Sequence, residues 1–164
     1  MIFIICGTQK FQFDRLIRGL DEQVGQGLIR DELFAQIGGC TYEPVNYPFV
    51  RFMDDTAFKK SIEEADLIIT HSGTGSIINS IKRGKKVIVV PRLEEYEEHV
   101  SDHQVQIAEQ FADSDLVRMC LDVDTLPQMI AEMEEFTPRE YISNTEHVLQ
   151  VLEEDILRLW EQKD

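Results

Sequence analysis

The segment from Asp66 to Pro91 constrains the fold more than any other part of the chain. It reads Asp66-Leu-Ile-Ile-Thr70, a loop of small residues, an apolar-periodic stretch from Ile77 to Arg83, Gly84, and then Lys86-Val-Ile-Val-Val90-Pro91. Two short β-branched runs separated by one helix cannot form a hairpin, because the helix carries the chain back to the edge from which it started. The second strand must therefore run parallel to the first, as a βαβ unit.

The same alternation extends in both directions. Ile2-Phe-Ile-Ile-Cys6 reads as a buried strand that ends in the tight loop Gly7-Thr8. Phe13, Leu16, Ile17 and Leu20 fall at helical spacing, with Asp14 near the start and Gly25 and Gly27 past the end. Phe34 to Ile37 and Val45 to Phe52 read as strands, the second weakened by Pro48 and so suited to an edge. Helices are predicted over 54–64, about 102–112 and 125–135, with a strand at Leu116 to Leu121. The expected fold is α/β: a single Rossmann-like open parallel sheet over residues 1–142 with helices on both faces. Residues 143–164 read as an amphipathic helix carrying Val148, Val151, Leu152, Ile156, Leu159 and Trp160 on one side, packed on the domain or docking a partner. A length of 164 residues accommodates one core of this kind and not two.

Charge narrows the range of ligands. Sixteen Lys and Arg against 31 Asp and Glu leave a net charge of −15, which repels the polyanionic backbone of nucleic acid. The three cysteines, Cys6, Cys40 and Cys120, are odd in number and form no CxxC pair, which fits free thiols in a cytoplasmic setting. The apolar start stops at Gly7, too short for a signal-peptide core, and no later run is long enough to span a bilayer.

Open parallel sheets bind ligands outside the carboxyl ends of their strands. Three segments fall there: Gly7-Thr8-Gln9 through Asp14, His71-Ser72-Gly73-Thr74-Gly75-Ser76, and Arg92 to Gln104. In the second, glycines let backbone N–H groups approach an anion and hydroxyls surround it, at the start of a helix. Gly and Ser also serve such junctions for geometry alone, so the loop by itself leaves both readings open. The pattern completes no phosphate fingerprint: the Walker ending Gly-Lys-Ser/Thr is missing, and Ile78 stands where GxGxxG needs its last glycine. In the third segment His99 and His103 are four residues apart, which raises a metal site, but neither HExxH nor a third ligand accompanies them, and none is assigned. Asp102 there suits a helix cap, Glu94, Glu95, Glu97 and Glu98 read as a solvated loop face, and Lys82, Arg83, Lys85 and Lys86 as a solvated turn at the opposite end of the unit.

Taken together, Gly7-Thr8-Gln9 with Phe13-Asp14-Arg15-Leu16, the run Ile69 to Ser76, Val89-Val-Pro-Arg92, and Glu98-His99 with Asp102-His103-Gln104 resemble the donor-binding half of family 28 glycosyltransferases. The resemblance covers residue 1 to about 112. It is greatest to the small subunits of split UDP-sugar transferases, those acting on dolichol-linked sugars and those of bacterial capsule and exopolysaccharide synthesis. It implies half of a GT-B enzyme, with a UDP-sugar as donor substrate, no cofactor, no divalent metal, and a membrane-associated partner that supplies the acceptor-binding half and recruits the chain to the cytoplasmic face of the membrane. By position, Gly7 to Gln9 and His71 to Ser76 would line the diphosphate and Asn79 would stand near the ribose. Asp102, His103 and Gln104 would stand near the sugar, and Arg92 and His99 would compensate the charge of the leaving UDP. The implied chemistry is direct inverting displacement; the general base is not assigned, with His71 as the fallback candidate. Two other classes stay open: a non-catalytic enhancer that stabilises a partner transferase, and a nicotinamide-type dinucleotide binder, against which Ile78 counts.

Overall fold

A computed structural model describes residues 1–144; beyond residue 144 the helix expected over 143–164 lies outside the described residues. The strands are β1 (Ile2–Ile5), β2 (Leu33–Gln36), β3 (Phe49–Val50), β4 (Leu67–Thr70), β5 (Lys86–Val89) and β6 (Arg118–Met119). The helices are α1 (Asp14–Gly25), α2 (Asp55–Glu64), α3 (Thr74–Ile81), α4 (His103–Asp113) and α5 (Leu126–Glu132). All six strands pair in parallel in the order β3-β2-β1-β4-β5-β6. This is the doubly wound arrangement expected from the alternation.

The central strands are apolar at almost every position because both faces are covered. Ile2 and Ile4 of β1 join Leu16, Ile17 and Leu20 of α1 and Leu126 of α5 on one face. Phe3 and Ile5 meet Ile62 of α2, Ile77 and Ile81 of α3 and Ala108 of α4 on the other. Among the described residues no helix is long and apolar enough to cross a membrane.

The shorter elements depart from the sequence reading for identifiable reasons. Only two residues of the stretch 45–52 enter the sheet, because the preceding segment wraps around α1: the Asp21 carboxylate accepts hydrogen bonds from Tyr42 Oη and from the N–H groups of Val45 and Asn46. Val45 is left exposed. Helix α3 begins at Thr74, three residues before its apolar stripe, so the first helical turn is made of what reads as loop. Edge strand β6 spans two residues, with Asp115 at φ 56° closing α4 just ahead of it. The basic turn is less solvated than expected, because Lys85 Nζ caps the carbonyls of Glu63 and Ala65 and Lys86 Nζ those of Met133 and Glu134. These cations meet the negative ends of α2 and α5.

Candidate functional site

Strand order reverses between β1 and β4: the chain leaves β1 toward β2 and β3, then crosses back to β4 on the other side. The loops after these two strands therefore diverge and leave a crevice at the carboxyl edge of the sheet. A cavity of about 480 Å³ opens there. Gly7, Thr8 and Gln9 form one lip, His71 through Ser76 the floor and opposite lip, and His99, His103 and Gln104 the third side. The three loops singled out in the sequence thus converge on one space.

Glycine is required at two of these positions by a histidine. Gly7 has φ +81°, and a Cβ there would lie 2.6 Å from His71 Nε2. A Cβ on Gly73 would intrude still further on the same ring, at Cε1. Gln36, at the end of β2, fixes the Gly7 peptide from behind by accepting from its N–H at 3.2 Å and donating to its carbonyl at 3.0 Å.

His71 is held neutral. Its Nδ1 accepts the N–H of Gly73 at 3.0 Å, which places the proton on Nε2. Burial, then the positive charge of Arg92, then His99 push its pKa down to about 3. A group so weakly basic does not take a proton from a sugar hydroxyl, so the role of general base does not suit it. The geometry gives it a donating Nε2–H instead.

The start of α3 is poised for an anion. Ile77 is the first residue to donate into the helix, to Gly73 O, so the N–H groups of Thr74, Gly75 and Ser76 on the cavity wall have no helical partner. Ser72 Oγ is buried beside them without a hydrogen-bond partner among the described residues. Hydroxyl and amide donors at a positive helix end are the chemistry that a phosphate group satisfies.

Several expected contacts fall elsewhere. Arg92 is 1% exposed and does not reach the cavity; its Nη2 donates to the carbonyls of Cys6 and Phe11, its guanidinium lies 5.2 Å from the Phe13 ring, and its Nε has no partner among the described residues. It braces the Gly7 loop from below, and its charge acts through the backbone. Asn79 faces its own helix, donating to Gly75 O and accepting from Arg83 Nη1, so it lies off the cavity. Asp102 also turns away: it is the residue before α4, but its carboxylate caps no helical N–H and accepts from Glu94 N at 2.9 Å. Gln104 does line the cavity, yet its Oε1 is committed to the N–H groups of Ser72 and Arg92, which leaves only its amide nitrogen, 3.4 Å from His71 Nδ1, facing the site. The His99 ring packs at a tilt against Phe11, with centroids 5.0 Å apart, and its Nδ1 lies within hydrogen-bond reach of Ser101 O.

Sequence reasoning missed three features. Met53, Asp55 and Phe58, on the approach to and first turn of α2, form a mostly apolar wall that no motif announces. Gln36 carries no signal beyond being a polar residue closing an apolar strand. Glu98, which the run of glutamates suggests is part of a solvated face, is instead fully buried and forms a two-pronged ion pair with Arg15 Nε and Nη2, both at 3.0 Å. Its Oε2 also accepts the N–H of Leu93. Both Arg15 and Glu98 lie in the segments that carry the family resemblance, but nothing in their spacing of 83 residues links them.

The family model described as the glycosyltransferase family 28 C-terminal domain matches residues 1–156. The chain belongs to this family. A human protein named UDP-N-acetylglucosamine transferase subunit ALG13 is 30% identical over 118 residues, which cover 66% of this chain and 10% of that protein. The chain thus spans about a tenth of that relative. Among solved structures, Acinetobacter baumannii MurG superposes with a TM-score of 0.64 at 23% identity, covering 93% of this chain and 49% of that one. An ALG13 solution structure gives a TM-score of 0.57 at 20% identity, with 92% and 94% covered. These likenesses bear out the fold, a Rossmann-like domain of GT-B type.

Proposed function

We propose that this chain is the donor-binding subunit of a two-part glycosyltransferase that uses a UDP-sugar, with UDP-N-acetylglucosamine the donor of choice. The observation that carries the reading is the convergence of unpartnered donors on one crevice: three N–H groups at the start of α3, the orphan Ser72 hydroxyl and the Nε2–H of His71. A diphosphate placed there meets hydrogen-bond donors instead of the net negative surface. Met53, Phe58 and Ile107 supply the apolar flank that a uracil ring needs, and His99 and His103 lie on the side toward which a sugar would project. The name of the human relative supports the choice of sugar.

In this reading an acceptor hydroxyl attacks the anomeric carbon with inversion while the fixed donors stabilise departing UDP. His71 does not suit the role of base, since burial suppresses its basicity and its Nδ1 already accepts the Gly73 N–H. This reading assigns the base, the lipid-linked acceptor and the membrane attachment to a partner subunit. Titration calorimetry with UDP, with and without magnesium, tests the donor site, and equal affinity in both is expected. Transfer from the UDP-sugar should need both subunits and fall with Ser72→Ala. Absence of UDP binding even in the assembled complex would overturn the reading, and a complex whose turnover ignores Ser72→Ala and His103→Ala would make the chain an enhancer instead.

A further inference from the structure

A second depression lies across the first turns of α4 from the donor cleft, with a volume of about 840 Å³. Leu93, Val105 and Val123 line it, and two exposed apolar residues, Tyr96 and Leu121, each 48% accessible, stand at its mouth. Four carboxylates, Glu95, Asp102, Asp122 and Asp124, rim it, and none of them forms an ion pair among the described residues. The cation on its wall, Arg15, is already consumed by Glu98 and lies over the Tyr96 ring at 4.9 Å. Apolar surface ringed by uncompensated charge of one sign marks a site for a segment that brings both apolar anchors and the opposite charge.

We propose that this groove docks a basic amphipathic segment of the partner subunit; the proposal rests on the two-part reading above. A second copy of this chain does not fit, because it would bring another −15 charge to the same rim. The position of the groove links docking to the donor site. Asp102 and Gln106 of the α4 region face the groove, while His103, Gln104 and Ile107 of the same turns face the donor cleft. Arg15 ties the groove wall to Glu98, the neighbour of His99. A segment seated here therefore packs against the back of the loop that closes the donor site, and places the partner beside the sugar.

The test uses the full chain and a fluorescein-labelled helical peptide of about 14 residues with leucines on one face and lysines on the other. Glu95→Lys with Asp124→Lys removes rim charge at side chains that make no hydrogen bonds among the described residues, and Leu121→Ser removes an anchor. Glu109→Lys with Asp113→Lys, on the exposed far half of α4, makes the same change in net charge elsewhere. Polarisation titrations should show affinity falling about tenfold in the rim variant and several-fold in Leu121→Ser, with less than a twofold change in the control. UDP affinity should be unchanged in all three. Equal weakening in the control pair, or no peptide binding at all, would overturn the proposal. So would concentration-dependent dimerisation that Leu121→Ser abolishes, since a second copy would then fill the groove. Loss of UDP binding by the unaltered chain, with peptide binding intact, would count against the donor reading alone.

Discussion

The buried, neutral state of His71 should be visible as a pH dependence of folding. In the unfolded chain the imidazole titrates at its ordinary value of 6.5, whereas in the folded protein burial, Arg92 and His99 hold it at about 3. The folded pKa lies below the unfolded one, so between these values the unfolded state binds the proton that the folded state refuses. The stability is fully present above pH 6.5 and is lost as pH falls from 6.5 toward 3. One pH unit corresponds to about 1.4 kcal/mol, so His71 alone should cost about 1.4 kcal/mol at pH 5.5 and about 2.7 kcal/mol at pH 4.5. The comparison protein is His71→Asn, whose Oδ1 can accept the Gly73 N–H in place of Nδ1 and does not titrate. Urea denaturation of both proteins from pH 7.5 to 4.5, at constant ionic strength, isolates the histidine, because every other titrating group is common to the pair. The asparagine variant should have a shallower acid limb by the amounts given. Parallel loss of stability in both would show that His71 is free to protonate in the folded state, and the donor role assigned to its Nε2–H would fall with it.

Other outcomes follow from the same contacts. Gly73→Ala drives a methyl group into the His71 ring and should cost on the order of 1–3 kcal/mol and weaken UDP binding, measured by denaturation and calorimetry. Gln104→Ala strands the buried N–H groups of Ser72 and Arg92, at about 1–3 kcal/mol each, whereas Gln104→Glu keeps the acceptor and should recover much of the loss in thermal melts. Glu98→Ala leaves Arg15 without its carboxylate and should destabilise by about 3–5 kcal/mol, a cost that a merely solvated glutamate would not show. Ser72→Ala removes a hydroxyl with no partner among the described residues, so it should leave the melting temperature nearly unchanged while reducing UDP affinity about tenfold.

Apolar runs and glycine positions made the parallel sheet and the convergence of three loops legible, because both depend on local pattern. What they could not reveal depends on pairing across long separations. Glu98 looks like its neighbours Glu94, Glu95 and Glu97 until Arg15 is seen to reach it from α1. Arg92 reads as a cation at a ligand loop, and only the fold shows the loop passing over it. Helical periodicity begins only at Ile77, while the first turn of α3 consists of Thr, Gly and Ser, which carry no apolar stripe, so the pattern alone places the helix start too late. The Met53 and Phe58 wall was invisible because it is assembled from a strand exit and a helix that have no shared motif.

Arg92 beneath its loop has a kinetic corollary. Its charge is confined to a short range under the Gly7 backbone, whereas the net −15 is felt over the whole approach to the molecule. A dianionic ligand is therefore repelled while distant and welcomed on arrival. Adding salt, which shortens the Debye length to about 8–10 Å at physiological strength, should hasten capture of such a ligand, opposite to the usual behaviour of phosphate-binding proteins.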